Sequence, residues 1–167
     1  MIRGQKMIIR KTTYADVDAV AEIYENAKIF MRKNGNHDQW NLGYPNRDTV
    51  LEDIEAGVGY VCEDEGEVVA TFMFNIGDDK TYKIMYEGAW KNDRPYAVIH
   101  RVAVKKHGCG IIDFCFEECF KKYPNLKIDT HRDNIPMQRV LERNGFVYCG
   151  IIHIETGDER LAYQKDS

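Results

Sequence analysis

Apolar residues change their spacing several times along the chain, and each change marks an element. Met7-Ile8-Ile9-Arg10 is a short apolar run between polar neighbours and predicts a first strand. Val17, Val20, Ala21, Tyr24 and Ala27 then recur at helical spacing, which predicts a helix to about Met31. Thr13 and Asp16 precede it in the manner of a capping box, with Asp in place of the commoner Glu. Lys33-Asn34-Gly35-Asn36 ends it, and an irregular stretch with Gln39, Trp40, Tyr44 and Pro45 follows. A second helix carries Val50, Leu51 and Ile54, with Asn46 or Asp48 as its N-terminal cap and Gly57 as its C-terminal cap. Val58 to Glu63 and Glu67 to Ile76 read as a hairpin across Asp64-Glu65-Gly66.

The second half alternates strand and helix. Thr81 to Pro95 mixes Tyr82, Ile84, Tyr86 and Trp90 with Gly88 and a polar run, and reads as a short strand or a loop over a pocket. Tyr96 to Val104 is rich in β-forming residues and predicts a central strand. A glycine-bearing turn and a helix to about Lys122 follow, stopped by Pro124. Leu126 to Thr130 is a further strand. Asn134 can cap the next helix, whose first turn holds Pro136 and which ends at Asn144-Gly145 with Phe146 packing back on Leu141. Val147 to Ile154 and Arg160 to Gln164 pair around Thr156-Gly157-Asp158. The order β α α β β (β) β α β α β β predicts an α/β chain with a mixed sheet and helices on both faces. We expect residues 1–6 to form an extension and residues 7–167 a single domain, a size one core can serve.

Charge and composition narrow the class. Lys plus Arg total 23 against 27 Asp plus Glu, so no basic excess favours nucleic acid. No apolar run reaches the ~20 residues of a membrane helix, and the first residues lack the apolar middle of a secretion signal. Cys62, Cys109, Cys115, Cys119 and Cys149 include no CxxC pair, so neither a disulfide framework nor a zinc site is expected. A reduced, cytoplasmic protein without a metal is the expectation.

Chemistry concentrates at two places. In Val102-Ala103-Val104-Lys105-Lys106-His107-Gly108-Cys109-Gly110-Ile111-Ile112 a strand meets a glycine turn and a helix start. Free amides there, with a helix-dipole charge of ~0.5, suit a pyrophosphate, although a plain turn has the same glycines. One strand later comes Asn134, an amphipathic helix, and Asn144-Gly145-Phe146. This Asn-to-Gly-Phe spacing resembles the C-terminal signature of GNAT-type N-acetyltransferases, and the likeness extends over nearly the whole chain.

The resemblance implies a GNAT-like acyl-CoA N-acyltransferase fold with a mostly antiparallel central sheet, acetyl-CoA as cofactor, and transfer to a small-molecule or peptide amine in a ternary complex. The family's loop pattern falls on His107, Gly110 and Ile112, and only the middle glycine is kept. Main-chain amides from His107 through Gly108, Cys109, Gly110 and Ile111 to Ile112 would hold the pyrophosphate without particular side chains. The main chain of Val102, Ala103 and Val104 would pair with the pantetheine arm as an added strand, and one of its N–H groups would serve the thioester oxygen. Asn134 would contact the cofactor near the thioester, beside its service as a helix cap.

A protonated amine must lose its proton before it attacks. The family's basic Glu falls on Val98, so His100, two residues on and on the same strand face, is the candidate base; a packed strand histidine is the alternative. The family's thiolate-protonating Tyr falls on Leu141, with Tyr163 the available substitute. Trp40 and Tyr44 either pack or line the acceptor pocket, and Asp129 and His131 either hold a cationic amine or bond within their turn. The Phe114, Cys115, Phe116, Cys119 and Phe120 series is expected to be core. The rival reading is a non-catalytic acyl-CoA-binding or regulatory domain. A homodimer is a common family arrangement that no residue here requires.

Overall fold

In a computed structural model, residues 6–40 and 43–167 are described. The expected extension thus lies almost wholly outside the described residues. The chain forms strands β1 (Met7–Lys11), β2 (Gly59–Asp64), β3 (Glu67–Ile76), β4 (Ala97–Val104), β5 (Asn125–Thr130), β6 (Val147–His153) and β7 (Glu159–Asp166). The helices are α1 (Val17–Lys33), α2 (Arg47–Ala56), α3 (Ile111–Lys122) and α4 (Ile135–Arg143). The strands make one sheet in the order β1-β2-β3-β4-β5-β7-β6. Every neighbouring pair is antiparallel except β4 with β5.

Local chemistry accounts for the boundaries. Asp16 accepts from the Thr13 N–H at 2.7 Å and closes a 3-10 turn, Tyr14–Asp16, so α1 begins one turn later than the pattern suggested. Asn46 is the residue that caps α2, accepting from Thr49 N at 3.2 Å, and Gly57 ends it in the left-handed conformation. The ambiguous stretch after β3 is mainly irregular. It holds a 3-10 turn at Lys80–Tyr82 and then touches β6 through one bridge, Tyr86 with Ile151. Gly88 allows that approach: a Cβ there would lie 1.9 Å from the Cys149 carbonyl oxygen.

The sheet's alternation sorts side chains into two layers. On one face Val20, Ile23 and Tyr24 of α1 and Val50 of α2 bury against Val61 and Ala103. On the other, Ile111, Cys115 and Phe116 of α3 and Leu141 of α4 pack on Cys62, Ala70, Ile99, Leu126 and Tyr163. Each large apolar side chain so buried contributes about 1.5–3 kcal/mol. All five cysteines are free thiols, four of them buried. No helix among the described residues is long and apolar enough to cross a membrane.

Candidate active site

The two central strands part company. Strands β4 and β5 pair only at Ala97 with Leu126 and Val98 with Lys127. Beyond them β4 stays bonded to β3 as far as Val104 with Ala70, while β5 follows β7. A wedge opens between the strands, with a cavity of about 680 Å³ whose wall includes His100, Arg101, Val102, Asp129, Thr130 and Asn134.

A bulge shapes that wall. Met73 pairs with His100 but Thr71 pairs with Ala103, so Arg101 and Val102 together oppose Phe72. Arg101 takes φ 54°, a conformation that L-residues avoid at a cost of about 1–2 kcal/mol. Its guanidinium explains why the conformation persists. Nη2 donates to both Asp53 oxygens at 2.6 and 2.7 Å, and Nη1 donates to the Tyr44 hydroxyl at 3.1 Å. Burial works against its charge, but Tyr44 and Asp53 outweigh it and raise its pKa. Burial likewise pushes the neighbouring Tyr24 up to about 12.

His100 lies in a polar network. Its Nε2 is 2.7 Å from Asp79 Oδ2, and its Nδ1 is 3.8 Å from Asp129 Oδ2. Asp129 Oδ2 also accepts the Tyr82 hydroxyl at 2.6 Å. Asp79 Oδ1 accepts from Thr81 N at 2.9 Å and from the Thr81 hydroxyl at 2.7 Å. Burial disfavours the Asp79 charge, but the bonds from His100 and Thr81 prevail and hold its pKa at about 2. Tyr82 is driven far above its ordinary range, first by burial and then by Asp129. With Asp79 fixing Nε2 as the protonated nitrogen, Nδ1 is the basic nitrogen of the neutral ring.

The other expected residues take several places. Asn134 caps α4 through Met137 N at 3.1 Å, and its Nδ2 donates to Gln39 Oε1 at 2.9 Å. Trp40 both packs and lines the cavity, with its ring 5.8 Å from Tyr24, edge to face. Tyr44 lines the cavity too. His131 does not: its Nδ1 accepts from Asp133 N at 3.0 Å within the turn. The side chains of Ala103 and Val104 point into opposite cores, leaving their main chain as the available part.

Residues His107 to Gly110 form the turn before α3, apart from the cavity wall. Gly108 and Gly110 have φ 76° and 74°. Gly110 caps α3 without a side chain, and the first helical bond is Phe114 N to Gly110 O. The amides of Ile111 and Ile112 precede that bond, as a bound anion requires. The His107 ring stacks on Phe30 with centroids 3.6 Å apart, and burial lowers its pKa. Cys109 Sγ faces the His107 carbonyl at 3.6 Å. Tyr163 and Leu141 are sealed in the core, away from the cavity.

Sequence reasoning missed Asp79, Tyr82, Arg101 and Asp53. One signal was present: His100-Arg101 puts two polar residues side by side in an apolar strand, which breaks the period of two and marks a bulge.

Residues 19–146 match the model of the acetyltransferase (GNAT) family. The chain belongs to that family. A GNAT-family acetyltransferase from Streptococcus agalactiae 2603 is 31% identical, with TM-score 0.89 over 98% of this chain and 96% of its own. At 18% identity and TM-score 0.64, yncA of Salmonella typhimurium, a putative acetyltransferase solved with acetyl-CoA, shares the fold over 96% and 94% of the two chains. So does a Salmonella typhimurium acetyl transferase that modifies the N-terminal serine of ribosomal protein L7/L12, at 16% identity and TM-score 0.68 over 97% and 95%. No curated protein matches the sequence significantly.

Proposed function

We propose that this GNAT-family member moves the acetyl group of acetyl-CoA directly to a primary amine of a small molecule or peptide in a ternary complex. The observation that carries this reading is the split between β4 and β5, which leaves the β4 main chain from Ile99 to Val104 without a partner on the β5 side. Such an edge suits an extended, amide-bearing arm. The amides at the start of α3 suit a diphosphate. The fold neighbour solved with acetyl-CoA supports the same donor.

Acetyl-CoA, when bound, supplies the acetyl group as a thioester. His100 Nδ1 takes the proton of the acceptor amine, while Asp79 holds the ring and its tautomer. Main-chain N–H groups of β4 near the bulge meet the negative charge that develops on the carbonyl oxygen, worth about 3–4 kcal/mol per donor. One N–C bond forms and one C–S bond breaks; of the two protons an ammonium loses, His100 passes the first on to solvent before attack, and the second leaves the nitrogen once the N–C bond has formed and ends on the released thiolate. Leu141 offers no acid, and a thiol of pKa about 8.5 leaves as the anion. A second reading, acyl-CoA binding without turnover, draws support from Ile112 and Leu141, where the family pattern has other residues.

The test measures CoA release from acetyl-CoA with a panel of amines, for the wild type and His100→Ala, together with melting in the presence of CoA. We expect turnover that His100→Ala lowers by about 100-fold or more. Saturating CoA at 100 times its Kd should stabilise the fold by about 2.7 kcal/mol. Stabilisation without turnover on any amine would leave only the second reading, and no stabilisation at millimolar CoA would remove both.

A further inference from the structure

One lysine of the sheet is buried without an acceptor. Lys127 of β5 lies between β4 and β7, paired with Val98 on one side and Gln164 on the other. It is 4% exposed, and its ammonium makes no hydrogen bond or ion pair among the described residues. The polar side chains beside it are committed elsewhere. Gln164 Oε1 accepts from Lys91 N at 2.8 Å, and Gln164 Nε2 donates to Asn125 Oδ1 at 2.7 Å. Asn92 Oδ1 accepts from Arg94 N and from Asn125 Nδ2. The ammonium lies instead over two rings, 3.8 Å from the Tyr96 centroid and 4.2 Å from that of Trp90. The ring faces offset part of the cost of burying the charge but bring no oxygen to its N–H groups. Burial accordingly lowers its pKa, with the charges of Cys149 and Asp78 acting the other way.

This ammonium opens on a cavity of about 520 Å³, walled by Tyr82, Trp90 and Tyr96. Three unpartnered polar atoms among the described residues are sealed in protein: Asn36 Oδ1, Arg101 Nε and the Thr130 hydroxyl. Lys127 Nζ is not one of them, so the space it meets is the cavity that it lines. The cavity shares no lining residue with the wedge beside His100. Two tyrosines stand between them. The Tyr82 hydroxyl donates to Asp129 of the wedge, and the Tyr96 hydroxyl accepts from Asp79 N at 3.0 Å. Asp78, Asp93 and Lys83 also line the cavity, but they are exposed, where water and salt screen their charges. Two acids against one base there repel a ligand with several negative charges, while the buried ammonium favours a single one.

We propose that this cavity is a second ligand site and that it takes a small monocarboxylate, whose oxygens accept from Lys127 and whose body lies against the aromatic wall. The site is independent of the acetyl-transfer reading and stands or falls by itself.

The experiment titrates the full chain with benzoate, benzamide and inorganic phosphate, by calorimetry and by the indole N–H signals in NMR. The two tryptophans report which cavity is filled: Trp90 lines this one and Trp40 lines the wedge. We expect benzoate to bind at least tenfold more tightly than benzamide or phosphate, which is about 1.4 kcal/mol. It should move the Trp90 signal and leave that of Trp40 in place. Lys127→Met keeps a stem over the rings and removes the charge, so it should bring benzoate affinity down to that of benzamide. Benzoate binding no tighter than benzamide binding, a moved Trp40 signal with Trp90 unmoved, or full benzoate affinity in folded Lys127→Met each overturns the site. If that variant does not fold, the wild-type indole shifts and the benzoate-to-benzamide ratio decide.

Discussion

Asp79→Asn isolates what the carboxylate does for His100. Asp79 Oδ2 accepts the Nε2 proton at 2.7 Å, with both side chains largely buried. The substitution is nearly isosteric, and Asn Oδ1 can keep both bonds from Thr81, so the 3-10 turn at Lys80–Tyr82 keeps its cap. What changes is the group facing Nε2, which becomes an NH2 donor. Two donors cannot share that position, so the ring shifts to the tautomer protonated at Nδ1, the nitrogen needed as base. A hydrogen bond to a charged group is worth about 1.5–3 kcal/mol, so kcat should fall by roughly 10- to 100-fold. KM for acetyl-CoA should hold, because the Asp79 carboxylate bonds to the His100 side chain and to Thr81 and not to the β4 main chain. The assay is steady-state CoA release at neutral pH with a melting curve as control. There Asp79 is fully ionised: its folded pKa of about 2 lies below the ordinary 3.8, so its stabilising contribution is complete above that value and fades only as pH falls toward 2. A folded Asp79→Asn protein with kcat within about twofold of wild type, while His100→Ala is slow, would refute the tautomer argument.

Acid titration should show a second carboxylate. The hydrogen bond from Arg10, helped by Thr13 against the cost of burial, holds Asp16 at about 2 rather than 3.8. Because Arg10 is 32% exposed, solvent screening trims the stabilisation to about 1–2 kcal/mol. Asp16→Asn should lose that amount at neutral pH, and urea melts of the two proteins should converge as pH falls from about 4 to 2. Gly88→Ala should destabilise by about 2–3 kcal/mol, because the new Cβ meets the Cys149 carbonyl. Hydrogen exchange should show Ala89 N, bonded to that carbonyl, as the first amide to lose protection.

Elements with a local cause were legible along the chain. The period of α1, the Asn134 cap with Pro136 behind it, the glycine ends of α2 and α4, and the hairpin turn at Glu65 and Gly66 each need only neighbours within a few residues. The Asn-to-Gly-Phe helix pointed to the GNAT family because its cap, its stripe and its return to the core are written in one short segment. Strand period also placed His100 on the face that Val98 shares.

The site itself was decided by distant parts of the chain. Nothing local to residue 79 says that its carboxylate meets a histidine 21 residues away, or that Tyr82 reaches Asp129 across 47 residues. The 81–95 stretch stayed ambiguous because its form depends on docking against β6 and not on its own period. The bulge at Arg101 needs Asp53 and Tyr44, 48 and 57 residues back, to hold a conformation that the strand alone would refuse. Spacing along a chain encodes which face a residue takes; which charges share that face, and where two strands separate, is settled only when the sheet closes.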